Sequence, residues 1–374
     1  MRIERVDVAY VRARRRFGFD DSRCGLVRIA TEDGTVGVGE ISDIEDPEAA
    51  PSAAAVAETL ESFLVGADPR RLNHLTTAMF DRVDFGPVAF HSFQQLALAG
   101  VDAALFDLAG RVLDVPAYQL LGGRTRSVPV SWVAFTRGTS EELARLEAEV
   151  RTMSDRGFEA FKLKVGDVDP ETDEERVRTV REVAGEDATL LLDAQGNWTV
   201  EEAIENVRRL EPYGIDGVET PAGHPDHSVD APGYYYDVPL VPADLRRVKE
   251  AVDTPVVEHV LDPAFGLELA AADAVDVFTV ETCAGGIARA ERVLDVAAAA
   301  GLDARLGSTV ELGPGTAAGV ALATSSPAVT YPCDLVGPAL YENDVLADPL
   351  SYRDGRLHAR DAPGLGIDLR ADVF

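Results

Sequence analysis

Glu159-Ala160-Phe161-Lys162-Leu163-Lys164-Val165 and Ala188-Thr189-Leu190-Leu191-Leu192-Asp193 are short apolar runs, separated by a stretch, 171–184, with apolar residues at helical spacing. That alternation decides the fold. It continues in both directions, with strand candidates at 128–134, 159–165, 188–193, 215–219, 255–258, 276–281, 303–307 and 328–332. Helical patterns fall between them at 139–156, 171–184, 200–210, 243–252, 264–272 and 287–300. Eight strands with intervening helices over roughly 200 residues predict an α/β fold, a (β/α)8-type barrel of the modified TIM kind, with one unit altered. Upstream, residues 1–42 alternate as strands around a Glu32-Asp33-Gly34 turn, and 49–122 read as helices ending at Leu120-Leu121-Gly122-Gly123. The expected division is an α+β capping domain at 1–126, the barrel at 127–340, and a segment at 341–374 that returns to the cap.

Composition narrows the function classes. The chain has 374 residues, 46% of them hydrophobic, with 65 Asp+Glu against 35 Lys+Arg and a net charge of −30. Such an acidic surface repels phosphate backbones and anionic lipid, so no nucleic-acid partner and no membrane partner are expected. The opening residues do not read as a signal peptide, and three scattered cysteines (Cys24, Cys283, Cys333) suit a reducing cytoplasm. Lysine occurs only at 162, 164 and 249. Acidity with so little lysine points to a halophilic source, and two lysines one residue apart in such a chain point to chemistry.

A barrel places its site at the carboxyl ends of the strands. Period-2 geometry turns Lys162 and Lys164 to one side, the interior. A lysine there is desolvated, and a neighbouring cation further disfavours its charged form, which is how a lysine becomes a general base near neutral pH. Asp193, Glu219 and Glu258 close the third, fourth and fifth strands. Three carboxylates converging on one point call for a hard divalent cation, and all-oxygen ligation suits Mg2+.

These residues, in order, resemble the enolase superfamily in its mandelate racemase and muconate-lactonizing branch. The resemblance spans nearly the whole chain. It is carried by Gly37-Val38-Gly39-Glu40 and Ala103-Ala104-Leu105-Phe106-Asp107 in the cap. In the barrel it rests on the Lys-x-Lys at 162–164, Asp193, Val218-Glu219-Thr220-Pro221, Gly285-Gly286-Ile287 and Gly307-Ser308-Thr309-Val310-Glu311. It implies one Mg2+ per subunit held by Asp193, Glu219 and Glu258, with Mn2+ able to substitute. Lys164 is then the acid/base at the carbon beside a substrate carboxylate, assisted by Lys162. The expected partners are a small-molecule carboxylate substrate and further copies of the chain in a homo-oligomer.

Three departures from the family pattern shape the expected reaction. The sixth strand ends Val280-Glu281-Thr282-Cys283 with no lysine, and the seventh ends Arg305-Leu306-Gly307-Ser308 with no histidine. Glu219 and Glu258 stand 39 residues apart, about a dozen more than the pattern, and the surplus lies at 221–240 with His224, a substrate-cover candidate. His259 paired with Glu281 is the candidate for the missing second acid/base. Tyr331, Asp334 and Ser308 are candidate substrate contacts. A single lysine-bearing face suits abstraction of the α-proton through an enediolate followed by dehydration of a hydroxy or sugar acid, a lyase reaction. The alternatives are a racemase, epimerase or cycloisomerase, and, in another class, a catalytically silent member that binds a metal or ligand.

Overall fold

Apolar alternation closes the first sheet. β1 (Ile3–Ala13), β2 (Ser22–Thr31) and β3 (Val36–Ile41) form an antiparallel meander in the computed structural model. The structure describes residues 1–16, 21–44, 48, 50–86, 92–124, 126–134, 140–223, 233–235 and 238–374. The 32–34 turn closes as the sequence implies: the Gly34 N–H donates to Thr31 O at 2.8 Å. Helices α1 (Ala53–Leu64), α2 (Leu72–Arg82) and α3 (Phe93–Leu113) follow. Ser92 caps α3 through its hydroxyl, which accepts from Gln95 N at 3.4 Å. The helix is buried from Gln94 to Gly110 because the sheet covers one side and barrel helices the other. Its approach to β3 requires glycine: a Cβ on Gly39 would stand 2.0 Å from Gly100 O, and one on Gly37 2.3 Å from Ala104 O.

After α4 (Ala117–Leu120) and β4 (Ser127–Pro129), the chain builds a seven-stranded parallel sheet. Its first four strands are β5 (Ser131–Ala134), β6 (Ala160–Lys164), β7 (Thr189–Asp193) and β8 (Gly217–Glu219). A small antiparallel pair, β9 (Gly233–Tyr235) with β10 (Val238–Pro239), interrupts them. The sheet resumes with β11 (Val256–His259), β12 (Val277–Val280) and β13 (Asp303–Leu306). Helices α5 (Ser140–Asp155), α6 (Pro170–Ala184), α7 (Val200–Leu210), α8 (Pro242–Lys249), α9 (Pro263–Ala272) and α10 (Ile287–Ala300) lie between the strands. Each falls within two or three residues of its sequence pattern. No helix among the described residues is long and apolar enough to cross a membrane.

The ends of the sheet differ from expectation. The predicted strand 128–134 splits, because β4 turns away to pair antiparallel with β14 (Arg356–His358), and only 131–134 joins the parallel sheet. The predicted eighth strand, 328–332, is no ladder. Val329 bridges Ala304 on one edge and Cys333 bridges Val130 on the other, each singly. Pro332 supplies no N–H between them, so the segment cannot continue a strand on both sides. Helix α11 (Gly313–Ala323) has no counterpart in the sequence patterns; it is buried almost all round, so no amphipathic period marks it. A short α12 (Gly337–Leu340) follows. The final segment touches α3: Leu365 N donates to the buried Asp107 carboxylate at 2.7 Å, and Arg111 pairs with Asp368 at 3.2 Å.

Candidate active site

Strand register decides which side chains meet. Lys164 lies beside Asp193, and Asp193 beside Glu219. Glu219 lies beside Val257, so on β11 the residue sharing its face two positions on is His259. His259 lies beside Thr279, and Thr279 beside Arg305. One face of the sheet therefore carries Lys162, Lys164, Asp193, Glu219, His259, Thr279 and Arg305. Glu258 stands beside Phe278 on the opposite face.

The hydrogen bonds follow this order. Lys164 Nζ donates to Asp193 Oδ2 at 2.8 Å. Lys162 Nζ sits between three carboxylates, in contact with Glu219, 3.1 Å from Asp334 and 3.2 Å from Asp193. Both Glu219 oxygens are shared: Oε1 meets Lys162 and, at 2.7 Å, His259 Nε2, while Oε2 accepts from Thr279 Oγ1 at 2.6 Å and Arg305 Nη1 at 2.9 Å. Arg305 also pairs with Asp334 and donates from Nε to Pro332 O at 3.0 Å. His259 Nδ1 lies 3.3 Å from Glu281. Lys164, at 8% exposure, is the most open of the group; Arg305 and Asp193 are at 0%.

These contacts set the charges. Burial works against an ammonium at Lys162, but Asp193, Asp334 and Glu219 outweigh it and hold the group well above the usual lysine range. Burial also works against ionised Glu219, yet Lys162, His259 and Arg305 hold its carboxyl well below the ordinary value. Asp193 is likewise lowered by Lys162 and Lys164 against its burial. For His259, burial is overridden by Glu219 and Glu281, which push it up to about 10, so the imidazole is charged at neutral pH. At Glu258 burial wins: it outweighs the charge of His259 and the hydrogen bonds from Thr220 Oγ1 and His259 N, each at 2.8 Å, and pushes the carboxyl up to about 8.

Strained backbone collects at the same strand ends. Gln195, Thr220 and Val310 take φ of +54°, +43° and +65°, values few side chains other than glycine tolerate and a β-branched valine least of all. Gln195 stands two residues beyond β7 and Thr220 directly follows β8, and the Gln195 N–H donates to Asp193 Oδ1 at 3.1 Å. Such strain clusters where chain direction is held by function.

The structure brings Lys162, Lys164, Asp193, Glu219, His259, Glu281 and Asp334 together. It does not bring Glu258, which the register turns away. Tyr331 lies at the other end of the sheet, where its acidic neighbours are Asp303, Asp216 and Asp276, all at the amino ends of strands. Ser308 donates to Glu311, and Val310 N donates to Ser308 at 2.8 Å, in a polar cluster beside the cap. His224 lies outside the described residues. Arg305 and Thr279 belong to the site and were not singled out from the sequence. The signal for Arg305 was its place in the apolar run Ala304-Arg305-Leu306, where a charged side chain needs an internal partner.

Comparison with known proteins agrees with this architecture. Residues 145–373 match the family model described as Enolase C-terminal domain-like. Residues 16–122 match the N-terminal domain of mandelate racemase / muconate lactonizing enzyme. Muconate cycloisomerase 1 of Rhodococcus opacus is 33% identical over 283 residues, covering 75% of this chain and 71% of the relative. L-Ala-D/L-Glu epimerase of Bacillus subtilis (strain 168) is 29% identical over 353 residues, covering 91% and 88%. The crystal structure of muconate cycloisomerase from Pseudomonas fluorescens superposes with a TM-score of 0.82 at 26% identity, covering 98% of this chain and 96% of that one.

Proteins of this kind bind a divalent metal, typically Mg2+. The residues here do not fit one as the sequence implied. Glu258 is on the wrong face, Asp193 Oδ2 and both oxygens of Glu219 are engaged by protein cations while Asp193 Oδ1 accepts from Gln195 N, and no three Asp, Glu, His or Cys among the described residues are grouped to hold an ion.

Proposed function

The chain belongs to the mandelate racemase/muconate-lactonizing branch of the enolase superfamily, and from that premise we propose that it is an isomerase that moves a proton at the carbon beside a carboxylate of a small-molecule acid, with Lys164 as the moving group. The observation that carries this reading is the placement of Lys164: it ends β6, its Nζ is fixed 2.8 Å from Asp193, and it is the most open cationic side chain on the interior face. Lys162 is the poorer base, because three carboxylates hold its proton. Its role is to fix Asp193, Glu219 and Asp334, so that Lys164 is presented at one position and angle.

Within the isomerases, the geometry favours an intramolecular addition or its reverse over epimerisation. Ring closure by cycloisomerisation needs one proton delivered to one face of the α-carbon. Epimerisation needs a group on each face. His259, the candidate for the second face, has carboxylates at both ring nitrogens, 2.7 and 3.3 Å away, and serves to hold Glu219. Dehydration of a hydroxy or sugar acid would use the same single base, but the relatives support the isomerase class and lend that lyase reaction no support.

Incubating the protein in KCl with unsaturated dicarboxylic acids, muconate among them, and with dipeptides separates these readings by NMR. The expected product is an isomer of a dicarboxylate, with no change of mass. A product that NMR shows to have lost water would replace the reading with a lyase, and inversion of a dipeptide would replace it with an epimerase.

A further inference from the structure

The site meets its buried carboxylates with protein cations, and the disagreement with a metal-binding pattern is built into the strands. We propose that Arg305 and His259, with Lys162, take the place of a divalent cation in this chain, so that the interior site is complete without a bound metal ion.

Three independent observations carry this. First, the β11 position that shares a face with Glu219 holds an imidazole, and the neighbouring carboxylate, Glu258, is engaged on the far side by Thr220 Oγ1 and the His259 N–H at 2.8 Å. A third oxygen donor cannot come from that strand without a one-residue slip, which would turn every side chain of β11 over. Second, the acceptor capacity of Glu219 is used up. A carboxylate has about four lone-pair sites, and Glu219 meets Lys162, His259 at 2.7 Å, Thr279 at 2.6 Å and Arg305 at 2.9 Å. Third, charge is balanced before any ion arrives: Lys162, Lys164, His259 and Arg305 face Asp193, Glu219, Glu281 and Asp334.

Arg305 is not a side chain that swings aside. It is fully buried, and its guanidinium is fixed at Nε by Pro332 O at 3.0 Å, at one amino group by Glu219 and at the other by Asp334. A divalent ion on Glu219 would displace it and strand a cation in the interior, where an unpaired charge is costly. The planar fork of arginine, holding two carboxylates from different strands, does the clamping a metal would otherwise do.

Metal titration tests this without any turnover, so its outcome is separate from that of the isomerase reading. The full chain, stripped with EDTA in KCl, is titrated with Mn2+ and free Mn2+ is followed by EPR, in parallel with Asp193→Asn. The acidic surface takes up ions weakly in both. The expected result is superimposable isotherms with no saturable one-equivalent step, and the same thermal midpoint in EDTA and in Mg2+. A saturable site of one Mn2+ per chain that is weakened tenfold or more in Asp193→Asn overturns the proposal. The double variant His259→Asp/Arg305→Met is expected to gain such a site, and a folded double variant without it also counts against the proposal. If that variant does not fold, the comparison of the native chain with Asp193→Asn still decides.

Discussion

Replacing Arg305 with Met removes the guanidinium while keeping most of the side chain's volume, so the cavity left behind is small. Glu219 would retain Lys162, His259 and Thr279, but Asp334 would retain only Lys162 among the basic groups that face it, at 3.1 Å. Breaking a buried ion pair by removing one partner costs about 3–5 kcal/mol. Pro332 O loses the donor now 3.0 Å away, which adds about 1 kcal/mol. The expected total is about 5 kcal/mol. With 374 residues and an unfolding entropy of about 2.1 cal/mol/K per residue, each kcal/mol moves the midpoint by roughly 1.3 °C, so Tm should fall by about 6 °C. Adding Asp334→Asn removes the stranded charge, so the double variant should recover about 2 kcal/mol relative to the sum of the single changes. Thermal unfolding followed by circular dichroism at pH 7 and fixed KCl measures all three. A fall of less than 1 °C in Arg305→Met, or strict additivity in the double variant, would refute the clamp.

Two further outcomes follow from the same geometry. Glu258→Gln should leave turnover within about threefold of the native chain, because Glu258 faces away from the lysines; steady-state rates check this, and a loss of several orders of magnitude would put Glu258 back into the chemistry. Asp102 in α3 is pushed up to about 7, chiefly by burial and against hydrogen bonds from Ala288 and Ile287 N–H groups. Between the unfolded value near 3.8 and 7 the folded state binds more protons, so this group's contribution to stability falls as pH rises through that window and is flat above it, by up to about 4 kcal/mol. Asp102→Asn should remove that slope, and denaturant midpoints from pH 4 to 8 that remain parallel in the two proteins would contradict it.

Much of this was legible in the sequence because the signals were local. Phe93–Leu113 reads as a helix from Ala, Leu and Val at helical spacing, and α3 has those bounds. Lys162 and Lys164 declare a face, because two charges at period 2 within an apolar strand can only point one way. The phase of β11 was not legible. Val256, Val257, Glu258 and His259 are all buried, so the strand has no in-and-out alternation, and only its pairing with Glu219 shows that His259 takes the inner position. Arg305 escaped notice for a related reason: its partners Glu219 and Asp334 lie 86 and 29 residues away, and no local pattern reports a distant carboxylate. Tyr331, a substrate-contact candidate from the sequence, falls short of the site because its N–H stays on Ala304 O at 3.3 Å, while Asp334 three residues on reaches Leu306 O at 2.8 Å.

The most direct measurement of the central claim is exchange of the α-proton of a carboxylate substrate, or of its isomerised product, with solvent deuterium, followed by NMR in the native chain and in Lys164→Ala. Loss of a group that acts in the transition state should slow exchange by several orders of magnitude, while circular dichroism stays native and the midpoint falls by a few degrees at most, because buried Asp193 loses Lys164 but keeps Lys162 at 3.2 Å. Lys162→Ala should lower the midpoint further than Lys164→Ala, since it releases three buried carboxylates rather than one. Exchange at the native rate in a folded Lys164→Ala protein would contradict the account, because Lys164 would then not be the group that moves the proton.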